Sequence, residues 1–268
     1  MKQFPMPELI HWKSFDGRKI SGFLYRPTKP FPGKRPVIID IHGGPEDQHR
    51  PGYSRDDSYF INEMGIVKIY PNVRGSTGYG RTFRALDNGL KRENAVKDIG
   101  TLLAWVKTQP DLDHDQIMVQ GASYGGYLAL SSAIAFSDQI KGVMSECGIS
   151  NFLTTIQGTR EWRKPIQRAE YGNERDQKIK KFMELTAPVN NSNKIKMPLF
   201  IIHGKNDPRV PYKESESIVT AAKKSGIIVW YILANDEGHG IYKSPNYEYM
   251  MCSLALFLKE HILKEKSN

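Results

Sequence analysis

The 268-residue sequence contains only two cysteines, Cys147 and Cys252. Two cysteines cannot build a disulfide framework, and their spacing matches no zinc motif. We expect both to be reduced, small apolar residues of the interior. No apolar run is long enough to cross a bilayer, and the first residues lack the apolar stretch of a secretory signal. If Met1 is the natural start, the protein is expected in the cytoplasm and not in a membrane.

A concentrated block of basic residues is also missing. The sequence has 38 lysines and arginines against 29 acidic residues, a net charge of +9, but the lysines are scattered among acidic residues. No aromatic-basic signature accompanies them, so we do not expect the chain to bind nucleic acid. No repeat and no linker rich in proline, glycine or serine divides the sequence. We therefore predict a single domain over residues 1–268.

The sequence does contain a regular alternation of apolar runs and amphipathic segments. Asp16-Gly17, between two alternating stretches, predicts an antiparallel hairpin. Further strands are predicted for RPVIIDI, GIVKIYPNV, QIMVQGA, IKGVMSE, MPLFIIHG and IIVWYILAN. With helices between them, they predict an α/β fold, a mostly parallel twisted sheet with helices on both faces. Residues 149–193 lack a strand signal and predict a helical insertion over the active site, at the carboxyl ends of the strands.

One serine lies between close glycines directly after a predicted strand. In GASYG, Ser123 lies between Gly121 and Gly125, although each glycine costs a helix about 1 kcal/mol. A nucleophile on a sharp strand-to-helix turn needs tiny neighbours two positions away on either side, because strand and helix approach closely there. The pattern favours Ser123 as a nucleophile. On this pentapeptide alone, a turn with a capping serine is the alternative.

A serine hydroxyl needs a base, and the base needs an acid that orients it. Asp207 follows the predicted strand PLFIIHG, and His239 follows the predicted strand WYILAN. The chain order Ser123, Asp207, His239 is the order expected of an α/β-hydrolase. Each of the three follows a strand of the same predicted sheet, so we expect their side chains to meet at one edge. His203, at a strand end, is interpreted as structural.

Acyl transfer also needs two donors for the oxyanion. One is expected to be the backbone N–H of Tyr124, directly after the serine. The other is expected from the loop HGGPEDQ, where Gly44 can bring its backbone close; a simple tight turn is the alternative. The loop's spacing matches no helix-based zinc motif, which argues against a metal site built from His42, Glu46, Asp47 and His49. We expect neither a metal nor an organic cofactor.

Taken together, these stretches resemble the catalytic domain of the prolyl oligopeptidase family of serine peptidases. The similarity rests on DIHGGP, NVRGSTGYG, GASYGGY, GISNF, RAEYGNERD, HGKNDPRVP and DEGHG, which follow the family order across residues 8–263. The most similar branch is that of acylaminoacyl peptidases and dipeptidyl-peptidase-like enzymes. The resemblance implies an α/β-hydrolase fold, the three catalytic roles given above and the same two oxyanion donors. Some relatives add a tyrosine side chain, but the matching position here is His42.

Members of this family usually carry an N-terminal β-propeller, and no propeller precedes the hydrolase pattern here. The chain is therefore interpreted either as a stand-alone hydrolase or as a fragment of a longer enzyme. The resemblance predicts a serine hydrolase that cleaves short peptides or acylated peptide N-termini through an acyl-enzyme intermediate. A carboxylesterase with the same triad and a non-catalytic binding protein on the same fold are the alternatives. The sequence leaves open whether the chain forms a homo-oligomer.

Overall fold

Strands rich in β-branched residues assemble into one sheet in the computed structural model, which describes residues 4–263. The strands are β1 (Pro7–Lys13), β2 (Lys19–Tyr25), β3 (Arg35–Ile41), β4 (Val67–Asn72), β5 (Leu112–Ala122), β6 (Gly142–Glu146), β7 (Leu199–Gly204) and β8 (Val229–Ala234). The α-helices are α1 (Arg55–Asn62), α2 (Arg81–Arg84), α3 (Glu93–Thr108), α4 (Tyr124–Ala135), α5 (Phe152–Gly158), α6 (Lys164–Tyr171), α7 (Gln177–Thr186), α8 (Lys213–Lys224) and α9 (Ser244–Phe257).

The described strands lie in the order β1-β2-β4-β3-β5-β6-β7-β8. The hairpin predicted at Asp16-Gly17 joins β1 to β2, and β2 also pairs antiparallel with β4. From β4 to β8 every pairing is parallel. The carboxyl ends of β3 and of β5 to β8 therefore lie along one edge of the sheet. The prediction of a mostly parallel sheet surrounded by helices is confirmed.

Alternate residues of the central strands enter two separate apolar cores. Val37 and Ile39 of β3 pack into one core, whereas Ile38 packs into the other. Helices α3, α4 and α8 contribute to the first core, and α1 and α9 contribute to the second. Because side chains of a strand alternate between its faces, a sheet covered on both sides needs apolar residues at every position. This explains the nearly continuous apolar runs in the sequence.

The predicted helical insertion lies between β6 and β7 and contains α5, α6 and α7. Its aromatic residues pack on α4. The ring of Phe152 lies 4.5 Å from that of Tyr127, and the ring of Tyr171 lies 6.5 Å from that of Tyr124. Trp162, in contrast, is 63% exposed. The insertion is thus fixed against the first turns of the helix that begins after β5.

Helix α1, which lies between β3 and β4, is not predicted from the sequence. It is short and polar, so its apolar pattern is weak. Its N-terminus is capped by Ser54, whose hydroxyl oxygen accepts a hydrogen bond from the backbone N–H of Asp57 at 3.2 Å. Its buried residues, Phe60 and Ile61, bring the helix onto the sheet.

Helix α9 turns only part of its surface toward the core. Met250, Leu254 and Phe257 are buried, and Cys252 lies on a different face. Cys147 is buried as expected, but the expectation that Cys252 is buried is wrong, because its side chain is exposed. None of the helices within residues 4–263 has both the length and the apolar character needed to cross a membrane.

Candidate active site

Ser123 lies on the turn between β5 and α4, and its backbone is strained. Its φ of 56° and ψ of −117° place a non-glycine residue in the left-handed half of backbone space. A Cβ on Gly125 would overlap the carbonyl oxygen of Ile41 in β3, and a Cβ on Gly121 would lie 2.5 Å from the carbonyl carbon of Gly125. The two glycines are therefore required because three pieces of backbone meet at this turn.

Glu146, the last residue of β6, ties the turn to the loop that carries His239. Its backbone carbonyl accepts a hydrogen bond from the N–H of Ser123 at 2.8 Å. Its carboxylate accepts one from the N–H of Ile241 at 3.1 Å. Burial raises the pKa of Glu146, and this backbone hydrogen bond partly offsets the effect. Sequence reasoning did not find Glu146, because nothing in its local pattern distinguishes it from other strand-end acids.

Asp207 and His239 are in direct contact. The Nδ1 atom of His239 lies 2.6 Å from Oδ2 of Asp207, whose side chain is fully buried, while that of His239 is 15% exposed. Because an ionised carboxylate only accepts, Nδ1 must carry the proton and Nε2 is left with a lone pair. The other oxygen of Asp207 accepts from the backbone N–H groups of Arg209 at 2.7 Å and Val210 at 3.0 Å.

These donors keep Asp207 ionised. Burial alone would raise its pKa, but the hydrogen bonds from His203 and His239 outweigh burial and hold the pKa well below the usual range. His203 Nε2 lies 3.2 Å from Oδ2 of Asp207 and 3.1 Å from the carbonyl oxygen of Val210. Since a carbonyl accepts only, Nε2 of His203 carries a proton and is a donor. His203 is interpreted from the sequence as structural, and its contact with Asp207 is not evident there.

The connection of Ser123 to the Asp207–His239 pair is indirect. Among residues 4–263, the hydrogen bonds of the structure do not join the hydroxyl of Ser123 to His239. Asp207 and His239 are therefore in contact, and Ser123 is connected to the loop after His239 through Glu146.

The two expected oxyanion donors lie on either side of the serine. Tyr124 is the first residue of α4, so its N–H has no partner within the helix. A Cβ on Gly43 would lie 3.5 Å from the Cβ of Ser123, which puts the peptide linking Gly43 to Gly44 beside the nucleophile. Gly44 has a φ of 116°, which favours glycine. Neither the N–H of Tyr124 nor that of Gly44 donates a hydrogen bond to another residue in the described range.

His42 forms a hydrogen bond with the carbonyl of the peptide that links Gly43 to Gly44. Its Nδ1 lies 2.7 Å from the carbonyl oxygen of Gly43, and its Nε2 lies 2.7 Å from the hydroxyl of Ser76. Burial lowers the pKa of His42 to about 4, so the ring is neutral near pH 7. Because the carbonyl of Gly43 can only accept, Nδ1 carries the proton. In a trans peptide the C=O and the following N–H point in opposite directions, so this bond fixes where the N–H of Gly44 points.

The side chain of Tyr124 is held by a buried group of charges. Its hydroxyl donates to Asp87 at 2.8 Å, and Asp87 pairs with Arg92 at 2.5 Å. Arg92 also pairs with Glu170 of the insertion at 3.1 Å. Burial raises the pKa of Glu170 to about 7; Arg92 lowers it, and the charge of Asp87 raises it further. Sequence reasoning missed this group, because its members come from distant segments.

His42 belongs to the HGGPEDQ loop, whose spacing argues against a metal site. Both ring nitrogens of His42 lie within hydrogen-bond distance of Gly43 and Ser76, as given above. Within residues 4–263, three potential ligands come together instead at Cys147, Asp207 and His239, whose ligand atoms lie within 4.8 Å of one another.

Two cavities differ in how close they lie to the three predicted catalytic residues. The one beside the triad candidates has a volume of about 440 Å³ and is bordered by Ala122, Glu146, Cys147, Gly240 and Tyr242, among others. A larger cavity of about 800 Å³ lies between the N-terminal strand and α1, and it is not lined by any of the five predicted site residues. We take the smaller cavity as the one connected with the chemistry, because it adjoins the residues next to Ser123 and His239.

Comparison with known proteins identifies a family for most of the chain. Residues 51–265 match the prolyl oligopeptidase family. Dipeptidyl aminopeptidase BIII of Pseudoxanthomonas mexicana is 32% identical over 214 residues, which cover 79% of this chain and 31% of that protein. The chain thus spans about a third of the length of this curated relative.

Solved structures share the fold. The acylaminoacyl peptidase of Pyrococcus horikoshii superposes with a TM-score of 0.86 at 24% identity, over 99% of this chain and 43% of that one. An acylaminoacyl peptidase in complex with Z-Gly-Gly-Phe-chloromethyl ketone gives a TM-score of 0.85 at 26% identity, over 99% of this chain and 43% of that one. The fold is that of the α/β-hydrolase peptidases. From the family match over most of its length, the chain belongs to the prolyl oligopeptidase family.

Proposed function

We propose that this chain is a serine hydrolase domain that cleaves short peptides or acylated peptide N-termini through an acyl-enzyme. The observation that carries the proposal is the 2.6 Å contact between Nδ1 of His239 and the buried carboxylate of Asp207. It leaves the second nitrogen of His239 free to act as a base, at the edge where Ser123 stands on a strained turn. If the contact between Asp207 and His239 were purely structural, it would not require a serine on a strained turn at the same edge of the sheet.

In this proposal Ser123 attacks the substrate carbonyl while Nε2 of His239 takes the hydroxyl proton. Asp207 keeps the imidazole in its tautomer and stabilises the imidazolium that forms. The N–H groups of Tyr124 and Gly44 stabilise the oxyanion. His239 then protonates the leaving group, and water repeats the sequence on the acyl-enzyme. The serine hydroxyl must come within hydrogen-bond reach of His239 in the substrate complex, because catalytic contacts often tighten only there.

The relatives support a peptide substrate. One is an aminopeptidase by name, and a solved neighbour carries a peptide chloromethyl ketone. We further propose that residues 1–268 form a single catalytic domain and that residues 149–193 cover the active site. The insertion supports this role because its Tyr171 stacks against Tyr124, the residue directly after the nucleophile.

The proposal is tested with the purified chain and its Ser123→Ala variant. We expect a fluorophosphonate probe to label the parent and not Ser123→Ala, with exposed Ser225→Ala as the matched control that labels like the parent. Peptides with free and with acylated N-termini, and a p-nitrophenyl ester, are assayed in parallel. Turnover of the ester alone would make the chain a carboxylesterase. Absence of both labelling and turnover would favour a non-catalytic binding protein.

A further inference from the structure

Cys147 lies directly after β6, between the loop of the nucleophile and the loops of the acid and base. Its backbone is held in a left-handed conformation with a φ of 47°, and its N–H donates to the carbonyl of Ile202 in β7 at 2.8 Å. Its sulfur lies 3.9 Å from the carbonyl oxygen of Gly238, a weak polar contact. The thiol is therefore placed among catalytic groups, and the mechanism does not use it.

The donor set around this thiol suits one class of ion. A sulfur of Cys147, a ring nitrogen of His239 and a carboxylate oxygen of Asp207 lie within 4.8 Å of one another. Zn²⁺ forms bonds of about 2.3 Å to thiolate and about 2.0–2.2 Å to imidazole nitrogen and carboxylate oxygen, usually with four ligands. Three protein ligands and one water complete such a site after a small closing movement of the side chains. Mg²⁺ and Ca²⁺ prefer sets made only of oxygen atoms.

Charge and access also favour a small dication. The carboxylates of Glu146 and Asp207 both act electrostatically on the thiol. Both are negative, so they attract a dication into the space between the loops. The cavity of about 440 Å³ borders Cys147 and Gly240, and it gives the ion a route to the thiol and to the loop of His239.

We propose that Cys147, Asp207 and His239 form a binding site for Zn²⁺ whose occupation blocks hydrolysis. Zinc–sulfur, zinc–nitrogen and zinc–oxygen bonds form at the Sγ, Nδ1 and carboxylate atoms. The thiol proton passes to solvent, and the ring proton moves from Nδ1 to Nε2, so the imidazole binds the ion as a neutral ring. No oxidation or reduction occurs. The ion replaces the proton that Nδ1 shares with Asp207, so His239 is fixed by the metal and can no longer be oriented by its acid. The blocking step rests on the proposed function, whereas the binding site itself does not.

Binding is measured without turnover in the Ser123→Ala variant, with Co²⁺ as a coloured substitute for Zn²⁺. We expect an intense near-ultraviolet band from a cobalt–thiolate bond, which disappears when Zn²⁺ is added in excess. Adding Cys147→Ala should remove the band. Adding Cys252→Ala should leave it, because Cys252, the other cysteine of the sequence, is exposed on α9 and is not one of the three ligands.

Inhibition is measured with an ester or peptide substrate in otherwise active chains. Each variant's rate in Zn²⁺ is compared with its own rate in a chelator. We expect the zinc concentration for half inhibition to rise at least about tenfold in Cys147→Ala, equivalent to about 1.4 kcal/mol of lost binding, and to stay unchanged in Cys252→Ala.

The outcomes separate the two proposals. A cobalt–thiolate band that depends on Cys147 supports the metal site even if the parent hydrolyses nothing, in which case only the proposed function fails. Absence of the band overturns the metal site, whatever the parent hydrolyses. Equal zinc sensitivity of the parent and Cys147→Ala overturns the blocking step, because the inhibiting ion would then act elsewhere.

Discussion

Replacing Asp207 by asparagine should remove most of the hydrolysis and leave the chain folded. The carboxylate accepts from His203 and His239 at one oxygen and from two backbone N–H groups at the other. Asparagine keeps one acceptor oxygen and replaces the other with an NH₂ group. If its oxygen stays with the backbone donors, the NH₂ group faces Nδ1 of His239. Nδ1 must then accept, and the ring proton moves to Nε2, where the serine needs an acceptor.

The size of the effect follows from this exchange of tautomers. The same carboxylate-to-amide change in a serine protease triad lowers kcat by about 10⁴-fold. That factor corresponds to about 5.5 kcal/mol of transition-state stabilisation. The free energy of unfolding falls by less, about 1–3 kcal/mol, because one N–H of the new amide would be buried facing His203 without an acceptor. His203 retains its contact with the carbonyl of Val210.

The assay measures kcat and KM for an ester substrate together with thermal unfolding of the same samples. The matched control is Asp236→Asn, which removes an exposed acid three residues before His239 that pairs with Lys243 on the surface. We expect the control to hydrolyse like the parent. If folded Asp207→Asn retained a kcat within tenfold of the parent, the assignment of Asp207 as the acid that orients His239 would be wrong.

Three further substitutions test the surroundings of the site. Gly125→Ala should lower the melting temperature by several degrees, because the new Cβ would overlap a backbone carbonyl and overpacking costs about 1–3 kcal/mol. The control Gly52→Ala should leave the melting temperature unchanged, because its Cβ would lie 3.9 Å from the carbonyl oxygen of Arg50. Tyr124→Phe should destabilise the chain in thermal unfolding by about 1–3 kcal/mol, because Asp87 loses a donor, but should change kcat little because the backbone N–H remains. The folded-state pKa of Glu170, about 7, lies above its ordinary value, so its protonated form stabilises the fold; this stability is complete below about pH 4.5 and is lost as the pH rises through 7. Denaturant unfolding at several pH values should show that the free energy of unfolding declines less steeply over this range in Glu170→Gln than in the parent.

The fold was predictable because its signals are local. The hairpin at Asp16-Gly17 depends on a two-residue turn. The sequence of residues 93–107 repeats its apolar positions at helical spacing, which by itself predicts a helix there. The structure extends that helix by one residue, to Thr108. Helix α1 was missed because it has only eight residues and two acidic residues in its first turn, so its apolar pattern is short. Its position is set by tertiary packing of Phe60 on the sheet.

The site was predictable only in part. Asp207 and His239 follow neighbouring strands, β7 and β8, so parallel pairing alone brings their loops together. The contacts of Glu146 and of the Asp87–Tyr124 pair depend on side chains that meet across 95 and 37 positions of sequence. No periodicity or spacing rule carries such information, because these contacts exist only after the sheet has formed.

The edge of the sheet explains how Ser123 and His239, the proposed nucleophile and base, can be separated in sequence and still belong to one site. β5, β6, β7 and β8 are consecutive parallel neighbours, so the loops after them open at the same edge. The backbone carbonyl of Glu146 accepts a hydrogen bond from the N–H of Ser123, and its carboxylate accepts one from the N–H of Ile241, in the loop after His239. A single residue therefore connects the turn of Ser123 to the loop after His239, while the backbone N–H groups of Arg209 and Val210 fix the carboxylate of Asp207. In this arrangement the relative position of serine and histidine depends on β6, which carries none of the predicted catalytic groups.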